Sequence, residues 1–279
     1  MAIELATKYI PFTDELFSTE SKSSLVTNSD FDFINASLVK IYSIGIADMT
    51  DYTRNGALPA GQWSRYGAIQ ELDATTQSFT LSKDRSFTFE IDRLDQDETV
   101  QQLSAASALA RQIRQVIIPE VDGHTFEQMI DNAGAKPTPK ALTAANIYGE
   151  LIAASNVLDN AEAPDVGRVL MVTPDTFMLL KQSPDIVMET DIGNDMRLRG
   201  VIGMIDGMTV LRVPAARLPE GFGFMVAHSV STTFVQKLES FRIHQDPPGI
   251  NGSLVEGRIV YDAFVQNNKR DALYYQATA

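Results

Sequence analysis

The chain has 279 residues, of which 44% are hydrophobic and 21% are charged, and its formal net charge is −13. Those proportions are typical of folded globular proteins rather than of disordered chains. The chain contains no cysteine, which excludes disulfides, thiolate zinc sites and a cysteine nucleophile. With three histidines it is poorly equipped for a multi-histidine metal site. The acidic balance argues against a dedicated nucleic-acid binder, because phosphate contacts need clustered lysine and arginine.

The N-terminal segment lacks the basic region and apolar stretch of a signal peptide, and no apolar run is long enough to span a bilayer. We therefore expect a protein that folds in a cytosol. Residues 1–35 are rich in serine and threonine and carry no long apolar stripe. This composition predicts either a mobile tail or an arm that orders only against a partner.

Two strand patterns follow. Apolar residues between 36 and 53 predict a strand, and Asn55-Gly56 predicts a turn after it. Residues 70–93 then alternate between apolar and polar, which predicts two strands joined as a hairpin with Lys83-Asp84-Arg85 at its tip. One apolar edge of that hairpin, from Phe79 to Ile91, needs a cover, because an isolated two-stranded hairpin is marginal in water. That cover is either the protein's own core or another molecule.

The strongest local pattern predicts a long helix from about Asp97 to Ala133. Asp95 or Asp97 is a candidate cap at its start. Its apolar positions recur at spacings of three and four: Val100, Leu103, Ala106, Ala110, Ile113 and Ile117. Pro119 interrupts this pattern and predicts a kink.

The remaining residues predict an α/β block followed by strands. Residues 137–228 alternate between helix and strand patterns, with Thr173-Pro174 as a helix start and Asp206-Gly207 as a hairpin turn. Three further strands are predicted near residues 241–243, 258–265 and 272–275. The fold class is therefore mixed α and β, α+β overall.

The sequence offers little catalytic chemistry. It contains no phosphate-binding glycine motif and no His-Glu-x-x-His. His124, His228 and His244 are interpreted as structural. Two acidic groups are weak candidates for a cation, and helix capping is the simpler interpretation of the first. The groups are Asp92, Asp95, Asp97 and Glu98, and Asp191, Asn194 and Asp195. We predict no catalytic residue, no metal site and no cofactor.

The order of the segments resembles the major capsid protein of tailed bacteriophages, the Hong Kong ninety-seven type fold. The segments that carry the resemblance are LSKDRSFTFEIDRLDQDET (81–99), SALARQIRQVIIPEVDGHTFEQM (107–129), LTAANIYGELIAASNVLDN (142–160), RVLMVTPDTFMLLKQSP (168–184), GVIGMIDGMTVLRVP (200–214) and RIVYDAFVQNNKRDALYY (258–275). Each segment alone is a soft signature, whereas their order and spacing cover almost the whole chain.

The resemblance implies four parts. Residues 1–54 look like the N-terminal arm and 55–95 like the extended β-hairpin loop that lies over a neighbouring subunit. Residues 96–136 with 230–279 look like the peripheral domain with its long spine helix, and 137–229 look like the axial domain. Since the chain starts at Met1 with the arm and carries no leading scaffolding segment, we expect a separate scaffolding protein or none.

The implied function is a structural, non-enzymatic subunit of an icosahedral capsid. The resemblance implies pentamers and hexamers that enclose double-stranded DNA of a tailed phage or prophage. A portal and possibly a decoration protein would be partners, the DNA would be enclosed without sequence-specific binding, and no membrane would be involved. Assembly would take place in the bacterial host cytoplasm.

Two sets of residues are candidates for contacts between copies. The apolar hairpin edge and its tip predict an inter-subunit contact through Phe79, Leu81, Lys83, Arg85, Phe87, Phe89 and Ile91. Lys83 with Asn267 or Asn268 is a weaker candidate for an isopeptide bond, because a lysine and an asparagine near a buried carboxylate can form one.

Two alternatives stay open at this point. An encapsulin-type nanocompartment shell is similar in fold and would enclose a cargo enzyme instead of DNA. A cytosolic metal-dependent α/β enzyme that uses the acidic residues is the alternative from another class. It would need convergent histidines or carboxylates in one pocket, which the sequence pattern does not supply.

Overall fold

The structure is a computed structural model that describes residues 21–30, 38–57, 63–69, 71–72, 74–98, 105–184 and 203–279. The chain divides into two compact units. The larger unit comprises Met1–Ile34 and Leu81–Ala279, and the smaller unit comprises Asn35–Thr80. The start of the predicted long helix at residues 99–104, and the candidate cluster Asp191, Asn194 and Asp195, lie outside the described residues.

The described part of the chain contains helices and strands in mixed order. The strands are β1 (Leu38–Ile44), β2 (Ala74–Thr80), β3 (Lys83–Asp92), β4 (Arg168–Val172), β5 (Met204–Ile205), β6 (Met208–Arg212), β7 (Phe222–His228), β8 (Thr232–Gln245), β9 (Gly252–Val265) and β10 (Leu273–Ala277). The helices are α1 (Arg93–Glu98), α2 (Ala105–Gln112), α3 (Ile118–Asp131), α4 (Ile147–Asn160) and α5 (Pro174–Gln182). The α+β fold class is confirmed.

A five-stranded mixed sheet forms one core of the larger unit, in the order β10-β7-β4-β6-β5. The central strand β4 reads RVLMV and is buried along its whole length, as a strand flanked on both sides and covered on both faces must be. The helix α4 presents its stripe of Ile147, Leu151, Ala154 and Leu158 to this sheet, and all four are buried. Their spacing is that of one helix face.

Local signals placed several ends of these elements correctly. The hydroxyl of Thr173 accepts a hydrogen bond from the backbone N–H of Thr176 at 3.1 Å, so it caps α5, and Pro174 occupies the first helical turn. Asp206 and Gly207 have φ angles of 48° and 73°, which is the left-handed pair that a tight type I′ turn between β5 and β6 requires.

The predicted hairpin of residues 70–93 is wrong in its pairing. The strand β2 pairs with β1, whereas β3 pairs with β9, so the two runs belong to different sheets. Both runs do form strands, because alternation predicts a strand without naming its partner. The three-stranded sheet has the order β3-β9-β8. The strand β10 pairs with β7 and so belongs to the five-stranded sheet.

The long helix runs from Ala105 to Asp131 as α2, a π-helical turn at Ile113–Ile117, and α3. In the π-helical turn the N–H of Ile118 donates to the carbonyl of Ile113, five residues back. Pro119 follows directly. A proline ring crowds the carbonyl four residues before it, and a wider turn relieves that contact. The interruption predicted at Pro119 therefore takes the form of a π-helical turn.

Candidate functional site

The β3 residues predicted to contact a neighbour lie on one face of the three-stranded sheet. Ile91 is only 5% exposed within the single chain, so its burial needs no other copy. Phe87 and Phe89 stack with ring centroids 6.1 Å apart and are half-buried. Of the two covers considered for this edge, the chain itself supplies the one over Ile91. Contact of the other residues with a neighbouring copy stays a prediction.

Because Gly257 has no side chain, the rings of Phe87 and Phe241 can approach each other. Gly257 lies opposite both Phe87 and Phe241 in the register, and the two rings approach to 5.9 Å across it. A Cβ at this position would overlap atoms of both rings. Glycine is thus required here by close approach rather than by its backbone conformation, and the aromatic pair replaces the packing that the glycine lacks.

Arg85 binds the long helix of its own chain. Its Nε donates to the carboxylate of Glu120 at 2.6 Å, and this hydrogen bond raises the pKa of the Arg85 guanidinium. The Tyr261 hydroxyl donates to the same carboxylate at 3.4 Å. Burial, with the nearby Glu120 charge, raises the pKa of Tyr261 to about 12. The two hydrogen bonds to Glu120 therefore connect β3 and β9 to α3.

The candidate isopeptide residues lie on different elements of the chain. Lys83 lies opposite Tyr261 in the register of β3 and β9. Asn267 and Asn268 begin the 3-10 helix Asn267–Ala272 beyond the end of β9. Six residues from Tyr261 to Asn267 correspond to about 20 Å of extended chain at roughly 3.3 Å per residue. A bond between two copies stays a prediction.

The smaller unit carries an exposed apolar set that the sequence patterns did not single out. Phe79, one of the predicted contacts, lies in this unit opposite Val39 and is half-buried. Met49 is 99% exposed, Ile46 93% and Trp63 78%. The exposed apolar set is Tyr42, Ile46, Met49, Tyr52, Trp63, Tyr66, Ile69 and Leu72. Tyr42, Ile46, Met49 and Tyr52 lie within residues 36–53, for which a strand is predicted, although β1 ends at Ile44. The sequence patterns predict no element for Trp63, Tyr66 and Ile69, whose only signal is their apolar and aromatic side chains.

Hydrogen bonds, rather than an apolar core, organise the described loop of the smaller unit. The N–H of Thr53 donates to the carbonyl of Arg65 at 3.0 Å, and the hydroxyl of Thr50 donates to the carbonyl of Tyr66 at 2.6 Å. The rings of Tyr52 and Tyr66 meet edge to face at 5.0 Å. The loop is therefore shaped by polar contacts while it presents large apolar side chains outward.

The N-terminal segment is attached to the larger unit at a buried carboxylate. Asp122 of α3 is fully buried. Its oxygens accept hydrogen bonds from the hydroxyl of Ser21 at 2.8 Å and from the backbone N–H groups of Lys22 at 2.9 Å and Ser23 at 3.3 Å. Arg217 donates to the same carboxylate at 2.7 Å. These four donors satisfy a charge that burial alone would destabilise.

Two more contacts hold the same segment. Val26 is fully buried in the core beside α3, which contributes about 1.5–3 kcal/mol at most. The N–H of Asn28 donates to the carbonyl of Thr232, and the N–H of Phe234 donates back to the carbonyl of Asn28, both at 2.8 Å. The hydroxyl of Thr233 donates to the Asn28 side-chain oxygen at 2.7 Å. We call residues 21–30 the strap. Both predictions for this segment, a mobile tail or an arm ordered only by a partner, are wrong for the strap.

The buried side chain of His124 binds a carboxylate of β9. The Nε2 of His124 hydrogen-bonds to a carboxylate oxygen of Asp262 at 2.8 Å, and the Nδ1 has no partner among the described residues. Asp262 also accepts the backbone N–H groups of Ser82 at 2.7 Å and Ala263 at 2.8 Å. Burial acts to raise the pKa of Asp262, but the hydrogen bonds from His124, Ser82 and Ala263 hold it below its usual range.

Within the described residues, no group of three or more His, Cys, Asp or Glu side chains is arranged to hold a metal ion. Asp92 caps α1, because its carboxylate accepts the N–H of Leu94 at 2.7 Å. Helix capping was the simpler interpretation of that acidic group, but the predicted cap residues, Asp95 and Asp97, lie inside α1 instead of at its start. No helix among the described residues is long and apolar enough to cross a membrane.

Comparison with known proteins gives one family and a consistent fold. Residues 74–276 match the family model for phage capsid protein. The chain is similar to a structure named Mycobacterium phage Che8, with a TM-score of 0.79, 19% identity and coverage of 99% of this chain and 98% of that one. It is similar to the asymmetric unit of the bacteriophage PhiM1 mature capsid, with a TM-score of 0.76, 14% identity and coverage of 100% and 92%.

A third similar structure is the head of Helicobacter pylori bacteriophage KHP40, with a TM-score of 0.69, 10% identity and coverage of 98% and 95%. No curated protein matches the sequence. At these identities the likeness concerns the fold, which the chain shares over nearly its whole length.

Proposed function

Because the chain belongs to the phage capsid protein family, we propose that it forms the pentamers and hexamers of an icosahedral shell around the double-stranded DNA of a tailed phage or prophage. Its role is that of a structural capsid subunit. The neighbours named as a mature capsid and a phage head support assembly of copies of this chain into a shell.

The observation that carries the proposal is the exposed apolar set of the smaller unit. Monomeric proteins rarely expose large contiguous apolar patches, and those that do generally use them as interfaces. Side chains as exposed as Ile46, Met49 and Trp63 gain from burial only if another molecule covers them. Another copy of the chain is the partner that a capsid supplies in the highest number.

Repetition makes weak contacts sufficient. A closed symmetric assembly repeats each contact in every subunit, so the shell is far more stable than any one pair. Within the predicted contact set, Phe79, Leu81 and Lys83 remain proposed contacts between copies. Arg85, Phe87, Phe89 and Ile91 already have contacts within the chain, and they would join an interface as its supporting surface.

The net charge of −13 fits enclosure of DNA without binding to it. Like charges repel, so the duplex would stay free to be packed and ejected. A separate scaffolding protein, a portal and a decoration protein are proposed partners, and the host cytoplasm is the proposed place of assembly. The four-part division into arm, extended loop, peripheral domain and axial domain also belongs to this proposal, as does the absence of enzymatic activity.

The proposal is tested by purifying the protein and measuring its particle mass and its appearance in the electron microscope. We expect a closed shell of megadalton mass with nucleic acid in native particles. Cargo protein in place of DNA would favour an encapsulin-type shell. A stable monomer or dimer would contradict the proposal.

A pair of variants then tests the surface. The double substitution Met49→Ser and Trp63→Ser should abolish shells and leave the thermal unfolding of the free subunit unchanged. The matched control is Val166→Ser, which removes an apolar side chain that is 89% exposed in the larger unit. Shells made equally well by the double variant would show that the exposed apolar set is not the interface.

A further inference from the structure

The chain contains two Asn-Gly pairs, at Asn55-Gly56 and at Asn251-Gly252. Each predicts a turn, and neither has a role in the proposed function. Asparagine is chemically labile, and a following glycine increases its lability, because no Cβ keeps the next backbone nitrogen away from the side-chain amide. Since the two pairs have the same local chemistry, any difference in their reactivity comes from the fold.

The fold leaves the Asn55-Gly56 pair free to change its backbone conformation. Both residues are exposed, and no hydrogen bond between described residues involves either of them. Gly56 has a φ angle of 100°, and a Cβ built on it would meet no described atom within 4 Å. The nearest anchors lie before the pair, where Arg65 donates to the carbonyls of Thr53 and Arg54. The nitrogen of Gly56 can therefore approach the side chain of Asn55.

The fold holds the Asn251-Gly252 pair in place. Gly252 is buried as the first residue of β9. The carbonyl of Asn251 accepts the N–H of Arg93 at 3.0 Å, and the carbonyl of Gly252 accepts the N–H of Asp246 at 2.7 Å. A Cβ on Gly252 would overlap the carbonyl of Ile91, so the backbone of β3 lies directly against this pair. The peptide between the two residues can rotate toward the asparagine side chain only when these contacts open.

We propose that Asn55 is a site of spontaneous deamidation, at which the folded chain converts asparagine to aspartate and isoaspartate without an enzyme. The nitrogen of Gly56 gives its proton to hydroxide and attacks Cγ of Asn55. The bond between Cγ and Nδ2 then breaks, and the side-chain nitrogen takes a proton from water and leaves as ammonia. A cyclic imide, the succinimide, remains between the two residues.

Water then opens the imide at one of its two carbonyl carbons. Addition at Cγ breaks the bond from Cγ to the Gly56 nitrogen and leaves an ordinary aspartate. Addition at the main-chain carbonyl carbon breaks its bond to the same nitrogen, so that the main chain passes through Cγ and the residue is isoaspartate. Nothing is oxidised or reduced, because the net change is the loss of ammonia and the gain of water. In either product a neutral amide becomes a carboxylate, which takes the net charge from −13 to −14.

The new carboxylate arises beside the contacts that shape the loop of the smaller unit. The guanidinium of Arg65 binds two carbonyls directly before Asn55, at 2.9 Å for Thr53 and at 3.3 Å for Arg54. A carboxylate is a stronger acceptor for a guanidinium than a carbonyl is, so either product competes for Arg65. Isoaspartate also adds one carbon to the main chain. Deamidation therefore changes the loop that presents part of the exposed apolar set.

The test follows both pairs in the folded, full-length chain. Trypsin releases Asn55 at the start of the peptide 55–65 and Asn251 within the peptide 243–258, and the first peptide carries the only tryptophan of the chain. After incubation in mildly alkaline buffer, mass spectrometry should show ammonia replaced by water in the peptide 55–65, with aspartate and isoaspartate forms that separate by chromatography. The peptide 243–258 should convert at least about tenfold more slowly, because its reaction waits for local opening. A sample digested before incubation corrects for conversion during digestion.

Two controls separate the effect of the fold from that of the sequence. In denaturant, where neither backbone is held, the two peptides should convert at similar rates. Asn55→Gln should abolish conversion in the peptide 55–65 and leave the peptide 243–258 unchanged. Equal rates for the two pairs in the folded chain, or conversion of Asn55 only in denaturant, would overturn the proposal. These measurements do not depend on shell formation, so this proposal and the proposed function can fail separately.

Discussion

The five-stranded sheet buries its apolar side chains within the chain, whereas the smaller unit leaves many of its apolar side chains exposed. Leu170 on β4 and Phe224 on β7 are fully buried inside the sheet's own core. Ile46 and Met49 in the smaller unit are almost completely exposed. Both regions are rich in apolar residues, so composition does not separate them. The difference is that the first region completes its core within one chain, and the second presents apolar surface that only another molecule can bury.

This difference assigns separate tasks to the two regions. A region with a complete core keeps its shape in the free subunit, and a region without one contributes little to subunit stability. Capsid subunits must be stable before assembly and must also gain free energy from it. Under the proposed function, the larger unit would meet the first requirement and the smaller unit the second.

The largest effect is expected from a pair of substitutions that contrasts the two regions. Leu170→Ala should lower the free energy of unfolding of the free subunit by about 4 kcal/mol, because it removes buried methyl groups and leaves a cavity. Ile46→Ala should change it by less than about 0.5 kcal/mol. Chemical denaturation of both variants measures this. Equal losses would mean that the smaller unit has a core of its own.

A somewhat smaller effect is expected at the strap site. Asp122→Ala should cost about 3 kcal/mol, because it leaves Arg217 buried without its partner charge. Glu127→Ala, which removes an exposed carboxylate from the same helix, is the matched control and should cost little. Denaturation curves give both values. If the two variants were equally stable, the polar site would not contribute to the stability of the larger unit.

The smallest expected effect on stability appears only at acidic pH. Asp262 has a pKa held below that of an unfolded aspartate, about 3.9, so it binds fewer protons in the folded state. Its contribution to stability is therefore complete above that value and is lost as the pH falls through the lower, folded pKa. The thermal unfolding temperature, measured from pH 5 downward, should fall less steeply for Asp262→Asn than for the native chain. Parallel pH profiles would show that this carboxyl does not titrate differently on folding.

Local patterns were sufficient for elements whose causes lie within a few residues. The Thr173-Pro174 helix start and the Asp206-Gly207 turn were both predicted correctly, because capping and positive φ each act over one to five positions. The partners of strands were not predictable in this way. The strand β3 pairs with β9, some 170 residues away, and its alternating pattern suits any sheet that has one covered face.

The strap shows the same limit for polar segments. Ser21, Lys22 and Ser23 look like part of a loose polar arm, because their buried acceptor Asp122 lies a hundred residues further along the chain. The predicted contact set had the opposite difficulty. Ile91 looked uncovered, yet it is buried in the single chain, where β3 pairs with the distant strand β9. Trp63 and Tyr66 in the exposed apolar set had no period to mark them.

The acidic, cysteine-free composition of the chain and the order of its segments together determined the class of this protein. Those properties depend on residue types and on short-range physics, so a single sequence contains them. The tertiary structure alone decided which apolar side chains the chain covers and which stay exposed. Burial depends on contacts between residues far apart in sequence, and only the folded chain shows where they meet.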